Sequence, residues 1–420
     1  MEKIIISARR ALLVISALAF WPDVSLANDL LSLEKAIELG LPNHPRLQAA
    51  KGNLDANRGD FWEAVSPENP VLSVENEQIP KGLGFSHYQQ QNIGISQTLD
   101  FPLVTYFRGR SANLSTQATR ISLDLAKAEV KGEITVAYVD LWISSKRVNL
   151  FDSLAVTAER LAYAARRRQA VGDATAIESD RLVVQSEQIA RDQEQAHLEF
   201  RLAGITLGQL INREIDSETQ LIDPIMPKMK TQQEAYSENS VAINQRASLF
   251  GKATKMQYHA AKLSWLPQIE LRLFKQDITG ERFWGGEIGL SVPLWFPFGG
   301  RANLLKAKGA LAQVEAEQEL TRREWNLSIT EAQESYEIAT RRLRSFEEIS
   351  LPASRRAYNA SVRSYEVGEL GVSDLLSSFL QERTVEIDYL SALGEAWRWK
   401  TRIEILTAKS EASQGISRFK

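Results

Sequence analysis

The residue types that most often do chemistry are few and scattered in this sequence. Its histidines never occur with the four-residue spacing that places two imidazoles on one helix face to hold a metal ion. They are His44, His87, His197 and His259, and we interpret all four as structural or surface residues. The sequence contains no cysteine, which excludes disulfides, thiol nucleophiles and thiolate metal sites. We therefore expect neither a cofactor nor a metal centre.

Charged and glycine-rich runs do not form a recognisable reactive site either. Glu347-Glu348 and Arg166-Arg167-Arg168 are typical of solvated helix faces. Gly299-Gly300-Arg301 lacks the further glycine and the lysine of a phosphate-binding loop, so we interpret it as a strand-to-helix turn. No set of nucleophile, base and orienting group can be assembled, so a secreted enzyme is a distant third interpretation and we predict that the protein is not an enzyme.

The first residues have the composition of a secretory signal peptide. Basic residues precede an apolar stretch at 11–20, and Ser25-Leu26-Ala27 supplies a small-x-small cleavage site, so residues 1–27 are predicted to be removed. The remainder has no apolar run near the roughly 20 residues of a membrane helix, so any membrane span is expected to be a β-barrel. The formal net charge of −3 and the pI of about 6.0 give no support to a nucleic-acid partner.

The chain contains two copies of one unit, at an offset of about 195 residues, which indicates a duplicated domain. Asn92-Ile93-Gly94-Ile95-Ser96 recurs as Glu287-Ile288-Gly289-Leu290-Ser291, and Val171-Gly172 recurs as Val367-Gly368. The predicted divisions are a signal peptide at 1–27, a first repeat at 28–225, a second repeat at 226–410 and a C-terminal tail at 411–420.

Each copy is predicted to contain a helix, two strands, one very long helix, a turn at Val-Gly and a shorter helix. In the first copy the long helix is predicted from Arg110 to about Ala170, and some 60 residues at about 1.5 Å each give a rod of about 90 Å. In the second copy it is predicted over 301–367, with a kink or junction at Pro352. The apolar steps of four and three residues are typical of coiled coils. An ordinary antiparallel coiled coil remains an alternative.

The four predicted strands alternate apolar and polar residues. In the third strand, Ile269, Leu271 and Leu273 share one face. A soluble antiparallel sheet gives the same alternation, with its apolar face in a core. Four strands cannot close a membrane barrel, whereas three chains would supply twelve strands and pair every edge. The pattern alone leaves both interpretations open.

Nearly the whole mature chain resembles the TolC-like family of outer-membrane efflux proteins. The resemblance rests on motifs that occur in the family's order in both copies. They are Leu33-Glu34-Lys35-Ala36-Ile37 through Asn43-His44-Pro45-Arg46-Leu47, then Ser96-Gln97-Thr98-Leu99, and finally Tyr365-Glu366-Val367-Gly368 followed by Val372-Ser373-Asp374-Leu375-Leu376. The segment Pro67-Glu68-Asn69-Pro70-Val71-Leu72-Ser73-Val74-Glu75 most resembles the heavy-metal CzcC-type branch.

The resemblance implies a mainly α fold with β structure, in which duplicated long-helix hairpins form a trimeric α-barrel. The same resemblance implies a 12-stranded transmembrane β-barrel, with four strands from each chain. The chain is expected in the cell outer membrane, with its helices in the periplasm. The implied partners are two further copies in a homotrimer, a periplasmic adaptor, an inner-membrane RND-type transporter and outer-membrane lipid. The alternative function is a soluble periplasmic coiled-coil or adaptor-like interaction protein.

The resemblance also assigns an aperture at the hairpin tips. In the family, the helix after the second Val-Gly turn presents acidic residues to the narrow periplasmic end of the tunnel. Asp374 matches the first of these, and Ser377 stands where the second would be. Three copies of Asp374 would form one acidic ring that favours cations. The alternative is that Asp374 is a helix-surface carboxylate near an N-terminus, where negative charge is favoured.

The resemblance further implies a link that closes this end and an exposed surface that the adaptor contacts. Tyr365 matches one partner of the link and Glu178 its acidic acceptor, so a charge-assisted hydrogen bond is expected between them. The family's second link is missing, because Leu370 replaces its arginine. The tips at Val171-Gly172 and Val367-Gly368 match those that adaptor hairpins contact.

Overall fold

The computed structural model describes residues 30–410, except 83, 173–174, 217–218, 226–237, 279, 293 and 295–298. The predicted signal peptide at 1–27 and the tail at 411–420 lie outside these described residues. The helices are α1 (Leu33–Gly40), α2 (Pro45–Val65), α3 (Pro102–Ala170), α4 (Ala176–Ile211), α5 (Ala242–Lys262), α6 (Arg301–Ser345), α7 (Leu351–Glu366) and α8 (Val372–Leu406). The strands are β1 (Leu30–Leu31), β2 (Val71–Glu77), β3 (Gln90–Leu99), β4 (Gln220–Leu221), β5 (Gln268–Ile278) and β6 (Glu281–Ser291).

Long helices dominate the molecule, as the sequence predicts. Helix α3 has 69 residues, which at 1.5 Å each makes it about 100 Å long. It begins at Pro102, eight residues before the predicted start at Arg110. The reason is that a proline is favourable at the first helical position, where its missing N–H needs no partner and its fixed φ suits the helix. The predicted start at Arg110 is therefore too late by eight residues.

The second long helix is interrupted near the predicted position. Helix α6 ends at Ser345, a π-helical segment covers Phe346–Ser350, and α7 follows with Pro352 in its first turn. A proline has no N–H to donate to the carbonyl four residues earlier, so the regular helical pattern cannot continue through it. The chain passes this point through one widened turn instead of ending the helix.

The helices form two antiparallel hairpins that pack against each other. Helices α3 and α4 make the first hairpin, and α6, α7 and α8 make the second. Helices α3 and α8 approach closely at two glycines: a Cβ at Gly132 would lie 2.6 Å from Ile405 Cδ1, and one at Gly394 would lie 2.9 Å from Ile143 Cδ1. Near this contact Arg398 Nη2 on α8 donates to Asp140 Oδ1 on α3 at 2.9 Å. Small residues therefore allow the two hairpins to lie side by side.

A buried cluster anchors the first hairpin near the middle of α3. Tyr138 on α3 is fully buried, and its hydroxyl lies 2.7 Å from the carbonyl oxygens of both Leu31 and Ile222. Burial raises the pKa of this phenol to about 12, so it stays a hydrogen-bond donor. The two carbonyls belong to the segments of β1 and β4, which pair in parallel. Tyr138 thus fixes the beginning of the described chain to the connection after α4.

The four longer strands form one antiparallel sheet in the order β2-β3-β5-β6. Strands β2 and β3 agree with the strands predicted near Val71–Ile79 and Gln89–Leu99, except that β2 ends at Glu77 because Gln78 has a φ of +54°, which extended backbone does not allow. Strands β5 and β6 extend beyond the alternating residues at 268–273 and 287–292 toward the turn that joins them. Strand β3 pairs with β5 from the other half of the sequence, with Ile95 opposite Leu273 and Gln97 opposite Leu271. Strands β2 and β6 are the free edges. Among the described residues, no helix is both long enough and apolar enough to cross a membrane.

Candidate functional site

The two hairpin tips have the same local structure. Gly172 and Gly368 adopt left-handed conformations with φ of +84° and +79°, which glycine adopts without strain. Their N–H groups donate to carbonyls three residues earlier, at 3.0 and 3.1 Å, and so end α3 and α7. The valine before each glycine is left on the outside: Val171 is 73% exposed and Val367 is 70% exposed. The glycine turn after α3 and the one after α7 therefore each present one apolar side chain.

Behind the tips the two hairpins share an apolar cluster, which we call the tip cluster. It contains Leu150, Leu154, Ala158, Ala162 and Ala165 of α3, Leu182 and Ile189 of α4, and Val372, Leu376 and Phe379 of α8. Tyr358 and Tyr365 of α7 pack against it. Burial of apolar surface from all four helices thus holds this end of the chain together.

Asp374 lies in the first turn of α8, close to the second tip. Its N–H donates to the Gly371 carbonyl at 3.2 Å, while its side chain is exposed and makes no hydrogen bond or ion pair within the described part of the chain. Ser377 lies one turn later, and its hydroxyl donates to the Ser373 carbonyl at 2.9 Å. The structure therefore leaves the Asp374 carboxylate available to solvent at the tip, where the positive end of the helix dipole favours it.

Tyr365 and Glu178 lie at the same end but are not bonded to each other. The Tyr365 ring packs against the tip cluster, and Glu178 lies in the first turn of α4, where its N–H donates to Thr175 Oγ1 at 3.2 Å. Across residues 30–410, excluding the undescribed gaps, no hydrogen bond joins the Tyr365 hydroxyl to the Glu178 carboxylate. The link between the hairpins stays a prediction.

Glu382 is a buried carboxylate of α8 that sequence reasoning missed. Only 6% of the residue is exposed, and its Oε2 atom is buried without a hydrogen-bond partner. Burial raises its pKa above the ordinary value, and the charges that act on it are Arg383 and Glu386 on its own helix and Arg355 on α7. Its position three residues after the buried Phe379 is the signal that could have identified it, since residues three apart share a helix face.

The histidines have structural contacts that agree with the prediction. His44 caps α2 by accepting from the Arg46 N–H through Nδ1 at 3.3 Å, and His197 Nε2 lies 3.0 Å from Asp152 Oδ1. The His259 ring stacks on Phe107 with 5.4 Å between ring centres. Among the described residues, no three histidine or carboxylate side chains converge to hold a metal ion.

At the other end of the chain, the sheet exposes its apolar face. The register places most apolar residues of the four strands on one side, and most of these are exposed in the single chain. They are Leu72, Val74, Ile93, Ile95, Leu99, Ile269, Leu271, Leu273, Ile288 and Leu290. From Ile93 to Leu99 this apolar zone extends over about 20 Å of strand. This apolar surface is large, and the described residues do not cover it.

Exposed aromatic rings lie at both ends of the sheet. Near the hairpin turns are Phe85 and Trp284, the latter 80% exposed. At the opposite end, where the strands meet the helices, are Tyr106 and Trp265. Aromatic rings prefer the boundary between an apolar phase and water, because they combine an apolar body with a polar or polarisable edge. Their positions mark the limits of the apolar zone.

Two further apolar stripes run along the outer surfaces of the hairpins. On α4 the stripe consists of Ile177, Val184, Leu198 and Ile205, and on α6 of Leu320, Leu327 and Ile338; all are exposed. Steps of seven and eleven residues keep each stripe on one side of its helix. The buried residues of α6, such as Trp325 and Ile329, face the opposite way, into the chain's own core. Both stripes are therefore available to another molecule.

The chain is similar to known outer-membrane proteins along almost its full length. It is 22% identical over 395 residues to the cobalt-zinc-cadmium resistance protein CzcC of Cupriavidus metallidurans, covering 89% of each chain. The crystal structure of the CmeC outer membrane channel of Campylobacter jejuni matches with a TM-score of 0.78 and 14% identity, covering 92% of this chain and 88% of that one. The outer membrane protein VceC of Vibrio cholerae matches with a TM-score of 0.76 and 14% identity, covering 90% and 97%. No family model matches.

These likenesses establish the fold. The chain has the architecture of the outer-membrane channels to which it is similar, so the predicted mainly α fold with a small β part and the resemblance to the TolC-like, CzcC-type proteins are confirmed. The similarity extends over both hairpins and the sheet, since nine-tenths of the chain is covered.

We expect Glu382 to make the stability of the tip depend on pH. In the folded chain the pKa of Glu382 is raised above its ordinary value of 4.5. At a pH between the ordinary pKa and the raised pKa, the folded state therefore keeps a proton that the unfolded state has lost. The free energy of unfolding should therefore fall as the pH rises through that window. Glu382→Gln should flatten this dependence and melt at a higher temperature than the parent protein at pH 7.

The measurement is thermal unfolding followed by circular dichroism between pH 4 and pH 8. Glu369→Gln, at an exposed position in the second tip, is the matched control and should keep the slope of the parent protein. Equal slopes for the parent and for Glu382→Gln would mean that Glu382 is not a source of the pH dependence.

Proposed function

We propose that this chain, which has the fold of the TolC-like outer-membrane channels, is the outer-membrane subunit of a tripartite RND-type efflux system of the heavy-metal type. One observation carries the proposal. A sheet with an exposed apolar face lies at one end of helical hairpins about 100 Å long. Such a molecule places its strands in the membrane and its helices in the periplasm.

The exposed sheet argues against the alternative of a soluble periplasmic coiled-coil protein. A soluble antiparallel sheet buries its apolar face, whereas Leu72, Leu273 and Ile288 are exposed here. Soluble monomers rarely leave contiguous apolar patches of more than a few hundred Å² in water. An apolar zone of about 20 Å with aromatic rings at both ends approaches the band of about 25 Å that membrane barrels turn toward lipid.

The free edges and the two stripes support a trimer. Strands β2 and β6 each have one unpaired edge, and lipid offers no partner for their backbone groups. Three copies joined from β6 to β2 give a closed barrel of twelve strands. In the same ring, the α4 stripe of one copy covers the α6 stripe of the next. This is a head-to-tail contact, and such contacts form a closed ring when the rotation permits.

The similarity to CzcC suggests the cargo and the partners. That relative is named for resistance to cobalt, zinc and cadmium, so we propose divalent metal cations as the exported substrate. An inner-membrane RND-type transporter and a periplasmic adaptor would deliver them. The adaptor would contact the exposed valines at Val171-Gly172 and Val367-Gly368. We also propose the division into two repeats, at 28–225 and 226–410.

The tip end would be the periplasmic aperture. Three copies of Asp374 would form one acidic ring there, with Ser377 one turn deeper. Tyr365 and Glu178 would form the link that holds the aperture closed, in addition to the apolar packing of the tip cluster. A charge-assisted hydrogen bond of this kind contributes about 1.5–3 kcal/mol.

We predict that Leu327→Glu prevents the assembly of the trimer. It places a charge in the middle of the α6 stripe, which the α4 stripe of the next copy would desolvate. Detergent extraction followed by native mass measurement should give about three chains per particle for the parent protein and mostly single chains for the variant. Lys81→Glu, in the exposed β2–β3 loop, should assemble normally.

A parent protein recovered as a water-soluble monomer from the periplasm would contradict the channel assignment itself. A trimer that forms equally well with Leu327→Glu would contradict only the assignment of the stripes.

We predict that Asp374→Asn reduces cation selectivity and weakens block by trivalent cations. Three carboxylates at the narrowest point attract cations, and a neutral amide does not. Planar-bilayer recordings of the parent and the variant, with and without a trivalent ion, provide the measurement. Asp180→Asn, near the start of α4 and also exposed, is the matched control. Identical block curves for the parent and Asp374→Asn would assign Asp374 to an ordinary solvated helix surface.

A further inference from the structure

We propose that Arg272 on β5 sets the ion preference of the channel within the membrane, because it is the cation that partly neutralises an acidic lining of the barrel. This inference rests on the proposed function. It concerns the polar face of the sheet, which in a closed barrel faces the lumen.

The register assigns the charged residues of the strands to the two faces. The polar face carries five glutamates per chain: Glu75, Glu77, Glu270, Glu281 and Glu287. Among the described strand residues, Arg272 is the one cation on this face. Lys275 and Arg282 lie on the opposite face, where they are paired with Trp284 and Asp277 in the register. The polar face therefore has a formal charge of −4 per chain.

Arg272 is held in place by two carboxylates from different strands. Its Nη2 lies 2.9 Å from Glu75 Oε1 on β2, and its Nη1 lies 4.0 Å from Glu287 Oε2 on β6. Only 26% of the arginine side chain is exposed. Because β2 and β6 are the two edge strands, one guanidinium connects the edges of the sheet across its polar face.

The polar face of the sheet is closely packed around Arg272. Strand β3 lies between Arg272 and Glu75 and carries Gly94 there, where a Cβ would come within 3.3 Å of Ser73 Oγ and Phe274 Cβ. The Phe274 ring occupies the space that a side chain at Gly285 would need, and the Arg272 Cζ lies 5.7 Å from the centre of that ring. At this distance the ring attracts the cation. The guanidinium therefore has a fixed position on the lining.

A fixed charge on the lining changes the potential that a passing ion experiences. In three copies the described polar faces carry a formal charge of −12, which becomes −15 if Arg272 is replaced by a neutral residue. The change lies beside Glu75 and Glu287, which would lose their counter-charge. Cation permeability relative to anion permeability should then rise. Salt should suppress the effect, because the Debye length falls from about 30 Å at 0.01 M to about 3 Å at 1 M.

The test is the potassium-to-chloride permeability ratio of purified trimers, from reversal potentials in planar bilayers under KCl gradients. Arg272→Gln should raise the ratio by about twofold or more at low salt and have little effect near 1 M. Glu75→Gln should lower the ratio. The double variant Arg272→Gln with Glu75→Gln keeps the net charge of the lining and should return the ratio to near that of the parent protein.

Two controls separate charge from structure. Arg272→Lys keeps the charge and should keep the ratio, and Lys275→Gln removes a cation from the lipid-facing side of the same strand and should leave the ratio unchanged. If Arg272→Gln does not assemble, the permeability ratio is measured for Glu75→Gln and Glu287→Gln instead. A ratio that is unchanged in both of these variants overturns the proposal. An unchanged ratio for assembled Arg272→Gln at low salt also overturns it. Parent trimers that form no channels would contradict the proposed function instead.

Discussion

The structure depends on apolar surface that a single chain cannot bury. The sheet is one strand layer thick, and no helix of the described residues covers its apolar face, so residues such as Leu273 and Ile288 remain exposed. The stripes on α4 and α6 have the same property further along the molecule. Burial of apolar surface is the main favourable contribution to folding and association, and the proposed barrel in lipid would bury the surface that the single chain exposes.

What the single chain does bury explains how its two ends are positioned. Near the middle of α3, Tyr138 and its cluster fix the first hairpin to the parallel pair of β1 and β4. In the middle, Gly132 and Gly394 allow α3 and α8 to approach closely. At the far end, the tip cluster joins the hairpins by apolar packing. Contacts of this kind can slide or separate without breaking an ion pair.

The sequence predicted the elements whose signal is periodic and local. Strand alternation and the absence of proline from residues 103 to 170 are sufficient for the sheet residues and the long helices. The predicted start of α3 at Arg110 was too late, because Pro102 suits the first helical turn and begins the helix there. The kink at Pro352 was predicted, but the π-helical segment before it depends on local backbone geometry that composition does not specify.

The features that arise between distant segments could not be predicted. The pairing of β3 with β5 joins residues at least 170 positions apart, and without it the contact between Arg272 and Glu75 has no basis in the sequence. Glu382 was missed because a carboxylate inside an apolar helix face is expected on the surface. Asp374 and the tip valines were assigned by resemblance, and the structure places them at the hairpin tips without testing what they bind.

The most direct test of the account is the accessibility of alternate residues on β6 in intact cells. The sequence has no cysteine, so single cysteines can be introduced at each position from 285 to 290 without a background. A water-soluble maleimide should label positions 285, 287 and 289, which face the lumen, and should not label 286, 288 and 290, which face lipid. Labelling of all six positions to the same extent, or recovery of the protein in the soluble periplasmic fraction, would contradict a lipid-facing sheet.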